Sequence, residues 1–199
     1  MSIRLVIATS NRDKVREIRA LLGGVDVDLA SLDAWPALAP PEETGATFEE
    51  NARQKALYYA AATGELVVAE DSGLEIDALD GAPGVSSARY GGAEATYPQK
   101  FDLIFDAMHR AGVRDRSARF VCALALARGD EILFESRRTV EGAIADAPRG
   151  ANGFGYDPIF FYPPFGRTLG EATRAEKDSV SHRGQAFRAL RAFLERCRL

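Results

Sequence analysis

At 199 residues, 46% hydrophobic and 27% charged, the chain has the composition of a soluble globular protein with a full core, most simply one domain over 1–199. A net charge of -4 argues against a nucleic-acid partner, which needs a basic surface. No apolar run approaches the roughly 20 residues of a membrane helix, and the start MSIRLVIATSNRDK does not read as a signal peptide, so no membrane partner is expected.

The two cysteines, Cys122 and Cys197, stand in no metal-like spacing, and Cys122 lies in an apolar strand pattern. A buried free thiol in a reducing cytoplasm is the expectation. Positive charge is written almost wholly as arginine, with 21 arginines against four lysines, Lys14, Lys55, Lys100 and Lys177. A lysine is a compact point charge that a planar guanidinium does not replace at a crowded phosphate, so these positions call for placement.

In chain order, Ile3 to Ala8 reads as a buried strand, Thr9-Ser10-Asn11 as a turn, and Arg12 to Leu22 as a helix stopped by Gly23-Gly24. Strand, polar turn and helix start form the geometry that offers free backbone N–H groups to an anion. Lys14 in the first helical turn opposes the helix dipole unless something negative lies close by. Val25, Val27 and Leu29 alternate with acids in a second strand. Asp33 to Ala46 is a long loop carrying Glu42 and Glu43, and long loops in compact domains are more often functional than accidental. Thr47 and Glu50 form a capping box for a helix that closes on Gly64, with Asn51 and Lys55 on one face.

The stretch Leu66 to Tyr90 is central. Its apolar run Leu66 to Ala69 is expected to stop on Glu70 and Asp71 and turn sharply at Ser72-Gly73, where open α/β sheets place their ligand sites. Gln99 to Ala111 reads as an amphipathic helix with Lys100 and His109 in solvent. Ala118 to Ala127 and Ile132 to Val140 read as strands joined at Gly129-Asp130. In Gly150 to Tyr162, glycines at 150, 153 and 155 permit close approach, and Phe154 and Tyr156 offer flat faces for stacking on a base. Lys177, Ser181, His182 and Arg183 crowd the start of a C-terminal helix and are rich in donors for carbonyl oxygens on a base.

Seven motifs taken together carry a resemblance. They are Thr9-Ser10-Asn11 with Lys14 and Glu17, Glu42-Glu43-Thr44-Gly45, Phe48 with Asn51 and Lys55, Glu70-Asp71-Ser72-Gly73-Leu74, Gly81-Ala82-Pro83-Gly84 with Ser87-Ala88-Arg89-Tyr90, Gly153-Phe154-Gly155-Tyr156-Asp157-Pro158, and Ser181-His182-Arg183-Gly184. In this order the chain resembles, over essentially its whole length, the inosine triphosphate pyrophosphatase family, the RdgB/HAM1-like non-canonical purine nucleoside triphosphate pyrophosphatases. The resemblance implies an α/β fold with a mixed, twisted central sheet flanked by helices, a nucleotide cleft between two lobes, and a homodimer. It implies hydrolysis of ITP, dITP and XTP to the monophosphate and pyrophosphate with Mg²⁺. By position, Thr9, Ser10, Asn11, Arg12, Asp13 and Lys14 would hold the triphosphate. Glu42 and Asp71 would bind the metal, and Asp71 would activate water with Lys14, Lys55 and Glu70 beside it. Ser72, Phe154, Gly155, Tyr156, Asp157, Lys177, His182 and Arg183 would hold the nucleotide. Where the family often has Asp-Asp this chain has Glu70-Asp71, so the division between base and metal ligand within the pair stays open. A relative acting on modified pyrimidine triphosphates and a non-catalytic nucleotide sensor are the alternatives. The donor cluster at Ser181-His182-Arg183 argues against the first, and a water-activating acid against the second.

Overall fold

The computed structural model describes residues 3–112 and 114–197. Strand β1 (Ile3–Ile7) leads into helix α1 (Arg12–Leu21) and strand β2 (Val27–Ser31). Helix α2 (Phe48–Thr63) precedes the long strand β3 (Leu66–Ile76). Helix α3 (Tyr97–Ala111), strands β4 (Ser117–Arg128), β5 (Glu131–Ile144), β6 (Phe160–Tyr162) and β7 (Arg167–Thr168), and helices α4 (Arg174–Val180) and α5 (His182–Cys197) complete the order. The strands lie in one mixed sheet, β2-β1-β3-β4-β5-β6-β7, parallel from β2 through β1 to β3 and antiparallel from β5 through β6 to β7. The chain is α/β, as expected.

Local chemistry accounts for the element ends. Thr47 caps α2 by accepting from the Glu50 N–H, while the Glu50 carboxylate reaches one residue beyond the expected box, to the Ala46 N–H. Gly64 closes the helix in the left-handed region at φ 71°. A capping box at Thr96 and Gln99 starts α3 two residues earlier than its apolar stripe suggests. The short helix α4, opened by Thr173 and Glu176, was not expected from the sequence, because seven residues are too few to show a periodic face.

The largest departure concerns β3. The strand does not stop at the acidic pair but runs through Glu70, Asp71, Ser72 and Gly73 to Ile76. Gly73 makes this possible: a Cβ there would overlap the Ser87 hydroxyl and lie 2.7 Å from the Gly84 carbonyl. In its absence the Ser87 hydroxyl accepts from the Leu74 N–H at 2.9 Å and donates to the Gly84 carbonyl at 2.6 Å.

Two compact units divide the chain. The first comprises the chain up to Asp71, Cys122–Arg138, and the chain from Arg183 onward. Its core gathers Leu5, Ile7, Ile18, Val68, Leu124 and Phe187, and includes Cys122 as a buried free thiol, while Cys197 is exposed. The second comprises Ser72–Val121 and Thr139–His182, with a core around Leu74, Ile76, Phe101, Ile104, Phe120 and Phe160. Lys100 belongs to that second interior. It is 4% exposed, not solvated, and its ammonium donates to the Ala88 carbonyl at 2.6 Å beneath the Tyr97 ring. His109 stays exposed, as expected.

Candidate active site

The acidic pair separates by environment. Consecutive residues of a strand point to opposite faces, and the two carboxylates of β3 meet different neighbours. Glu70 is 2% exposed. Its Oε1 accepts from Arg183 Nε and Nη2 at 3.1 and 3.0 Å and pairs with Lys14 Nζ at 3.2 Å, while Oε2 accepts from the Cys122 thiol at 3.1 Å. Arg183 Nη1 donates in turn to Glu17 Oε2 at 2.8 Å. Lys14, Arg183, Glu17 and Glu70 thus form a cluster of two cations and two anions. Burial opposes charge on Glu70, yet Arg183 and Lys14 outweigh it and hold the carboxyl well below the usual range. Burial and Glu70 push the Cys122 thiol up.

Asp71 is 6% exposed and differently served. Its Oδ2 accepts from Asn51 Nδ2 at 3.0 Å, and its Oδ1 from Lys55 Nζ at a longer 3.3 Å. Lys55 bonds more closely to Glu43, at 2.7 Å. Burial raises the Asp71 pKa, and Lys55 and Asn51 offset it only in part. Burial also presses on the Lys55 charge, but Asp71 and Glu43 prevail and its pKa rises. The result is a carboxylate with raised basicity beside a lysine that stays protonated, an arrangement that can accept a proton from water and stabilise developing negative charge.

The turn before α1 is more self-satisfied than the sequence suggests. Asn11 Oδ1 caps the helix by accepting from the N–H groups of Asp13 and Lys14, and the Asn11 N–H itself donates to Thr9 Oγ1. Two N–H groups expected to be free for an anion are therefore occupied in this state. Asp13 pairs with Arg16 at 2.7 Å, and Ser10 and Arg12 are exposed. Glu42 is exposed on its loop, and the neighbouring Glu43 carries the bond to Lys55. The oxygen donors of Glu42, Glu43 and Asp71 are the type a hard cation such as Mg²⁺ takes. Among the described residues no group of three or more His, Cys, Asp or Glu is gathered to hold a metal, so a Mg²⁺ here would draw other ligands from water and phosphate.

Within the second unit, Phe154, Asp157 and Lys177 form one constellation. Asp157 Oδ2 accepts from the Phe154 N–H at 2.8 Å and from Lys177 Nζ at 2.6 Å, and that ammonium lies 4.4 Å from the centre of the Phe154 ring. Gly153 must be glycine here, at φ 73°, because a Cβ would strike the Asp157 carboxylate. Gly155 likewise has positive φ, beside the Tyr97 ring, and Ser72 follows Asp71 on β3. Tyr156 does not offer a free face, contrary to expectation. It is buried, edge-on to Tyr97 at 5.3 Å, and its hydroxyl donates to the Ser87 carbonyl. His182 is buried and stacks on Phe120 at 4.9 Å. Arg183, expected among the nucleotide-holding donors, instead has its guanidinium on Glu70 and Glu17. Glu17 and Asn51, present in the motifs, are site residues that the spacing alone does not mark, because it does not show that both are buried.

A mixed α/β chain with an activated carboxylate, a partnered lysine and a lysine-bearing helix start has the equipment of a hydrolase acting on an anionic substrate. A model of the Ham1 family matches residues 5–193, and the chain belongs to that family. It is 47% identical over 190 residues to a dITP/XTP pyrophosphatase of an Exiguobacterium species, covering 96% of each chain. The fold is similar to that of a HAM1 protein from Coxiella burnetii, with a TM-score of 0.91 and 40% identity over 97% of this chain and 98% of that one. The Staphylococcus aureus Ham1 protein is also similar, with a TM-score of 0.87 and 37% identity over 96% and 98%.

Proposed function

We propose that this chain hydrolyses non-canonical purine nucleoside triphosphates (ITP, dITP and XTP) to the monophosphate and pyrophosphate, as a Mg²⁺-dependent cytoplasmic homodimer that cleanses the nucleotide pool. The observation that carries the chemistry is Asp71: enclosed, raised in pKa, and contacted by Lys55 and Asn51. Glu70 is an unsuitable base, because four donors already engage its two oxygens.

Asp71 takes a proton from the attacking water as the water oxygen bonds to the α-phosphorus, and the bond from that phosphorus to the α–β bridging oxygen breaks. Pyrophosphate leaves with the electron pair, and the ammonium groups of Lys14 and Lys55 stabilise the charge that builds on the phosphate oxygens. Bound Mg²⁺, held by Glu42 and Asp71, would supply Lewis-acid polarisation of the phosphoryl group. Phe154, partly buried, offers its ring for the base, and Lys177 and His182 donors for its carbonyl oxygens.

Product analysis over a panel of ITP, XTP, dITP, dUTP, ATP and GTP with Mg²⁺ tests the reading. ITP should give IMP and pyrophosphate. Release of IDP and phosphate, or no turnover of any triphosphate, would overturn it.

A further inference from the structure

We propose that Asn51 is a positioning residue for the reaction: it locks the carboxylate of Asp71 to the loop that carries Glu42 and Glu43, and selects Oδ1 of Asp71 as the oxygen that acts. The inference rests on the reading of Asp71 given above.

Asn51 is 1% exposed, in the first turns of α2. Its amide is used at both ends. The Gly45 N–H donates to Oδ1 at 2.8 Å, and Nδ2 donates to Asp71 Oδ2 at 3.0 Å. These partners fix the amide's direction, since an N–H must meet the oxygen and a carboxylate must meet the nitrogen. Aspartate has the same shape but would set oxygen against oxygen, and leucine fills the space with no polar atom. The loop approaches closely enough to need glycine, because a Cβ on Gly45 would lie 2.6 Å from Asn51 Oδ1 and 2.7 Å from Glu50 Cβ.

The same face of α2 continues the attachment. Asn51, Lys55 and Tyr58 are spaced four and three apart, hence in line. Lys55 bonds Glu43, and the Tyr58 hydroxyl donates to the Ala39 carbonyl at 2.9 Å. The loop is therefore laced to the helix at Ala39, Glu43 and Gly45, and only Asn51 and Lys55 of this row pass the attachment on to Asp71. Asn51 holds Oδ2 with a hydrogen bond of ordinary length, 3.0 Å; Lys55 is farther from Oδ1, at 3.3 Å, and closer to Glu43. Oδ1 is the oxygen left to exchange partners with water. An amide cannot titrate, so Asn51 orients and does not react.

The test is a double-mutant cycle of Asn51→Leu with Asp71→Asn, read by ITP kinetics and by Mn²⁺ binding to the nucleotide-free chain in calorimetry. Loss of an outer-shell partner typically costs about 10- to 100-fold in activity or metal affinity. Asn51→Leu should lower kcat by that factor, leave KM within about threefold, and weaken Mn²⁺ to a similar degree; both effects should vanish in the Asp71→Asn background, where there is no carboxylate to orient. Asn51→Asp, which preserves shape and the Gly45 bond, should reproduce the loss of kcat and guards against a leucine variant that fails to fold. Unchanged kcat in the aspartate variant, or an Asn51→Leu penalty of equal size in the Asp71→Asn background, would overturn the proposal. Full activity in Asp71→Asn alone would instead overturn the reading of Asp71.

Discussion

Arg183 grips Glu70 through two nitrogens at 3.0 and 3.1 Å and turns its third toward Glu17 at 2.8 Å. The three residues are all buried and stand 17, 70 and 183 along the chain, so the start of α5 is clamped to α1 and β3 by one guanidinium. A planar fork with fixed donor directions can serve two carboxylates at once, which an ammonium cannot do with the same geometry.

The first prediction is that this clamp holds the fold. Removing one partner of a buried ion pair leaves an uncompensated charge and costs about 3–5 kcal/mol. Arg183→Ala and Glu70→Gln should each show that loss in chemical denaturation, with nucleotide preference in any folded remainder unaltered. A shift of less than about 1 kcal/mol would place the Glu70–Arg183 pair among weakly contributing ion pairs.

Acid sensitivity follows from the same carboxylate. Arg183 and Lys14 depress the folded-state pKa of Glu70, so its stabilising contribution is present above the unfolded value of about 4.3 and is lost progressively as pH falls from there toward the depressed folded-state value. The melting temperature of the wild type should decline between about pH 4.5 and pH 3, and Glu70→Gln should flatten part of that decline. Parallel curves for both proteins would assign the acid response to other groups.

Asp71 should behave in the opposite sense. Its pKa is raised by burial, so keeping it charged at neutral pH costs folding free energy. Asp71→Asn is expected to reduce turnover by about 10²-fold or more while leaving the melting temperature equal or higher. A mutant with near-full activity would return the base to Glu70 or to another group.

Lys55 lowers the Asp71 pKa that burial raises. Lys55→Met removes that opposition, so the acid limb of the kcat/KM profile should move to higher pH as the base becomes harder to ionise. The pH–rate profile of the variant with ITP measures it directly. A limb that stays in place would uncouple Lys55 from the reacting carboxylate.

Base preference should reside in the second unit's constellation. Lys177 carries donors only, suited to the 6-carbonyl of ITP and mismatched to the 6-amino group of ATP. Lys177→Gln introduces an acceptor and should narrow the ITP/ATP ratio of kcat/KM, whereas Lys14→Ala should lower both values and preserve the ratio, because the triphosphate is common to both. Equal shifts in the ratio would dissolve this division of labour.

Much of the fold was legible in the sequence because it is set by near neighbours. The strand–turn–helix of β1 and α1, the Thr47 cap and Gly64 stop of α2, the two-residue connection of β4 and β5, and the glycine after α3 all follow from periodicity and capping within a few residues. The lysine economy also carried information. Lys14, Lys55 and Lys177 engage carboxylates, and Lys100, assigned to solvent from its helix face, is buried as well. The apolar stripe of α3 does not reveal how wide a face its neighbours cover, and Lys100 lies within that face.

What the tertiary structure alone decided is which member of each like pair does which task. Glu70 and Asp71 are adjacent and chemically alike, but the pleat sends them to opposite faces; Arg183, 113 positions away, takes one, and Lys55 and Asn51 on α2 take the other. Phe154 and Tyr156 are two residues apart, yet one is partly buried with Lys177 over its ring and the other is buried against Tyr97. In both pairs local sequence supplies the functional groups, and the pKa and accessibility of each depend on charges and surfaces that only long-range folding brings against it.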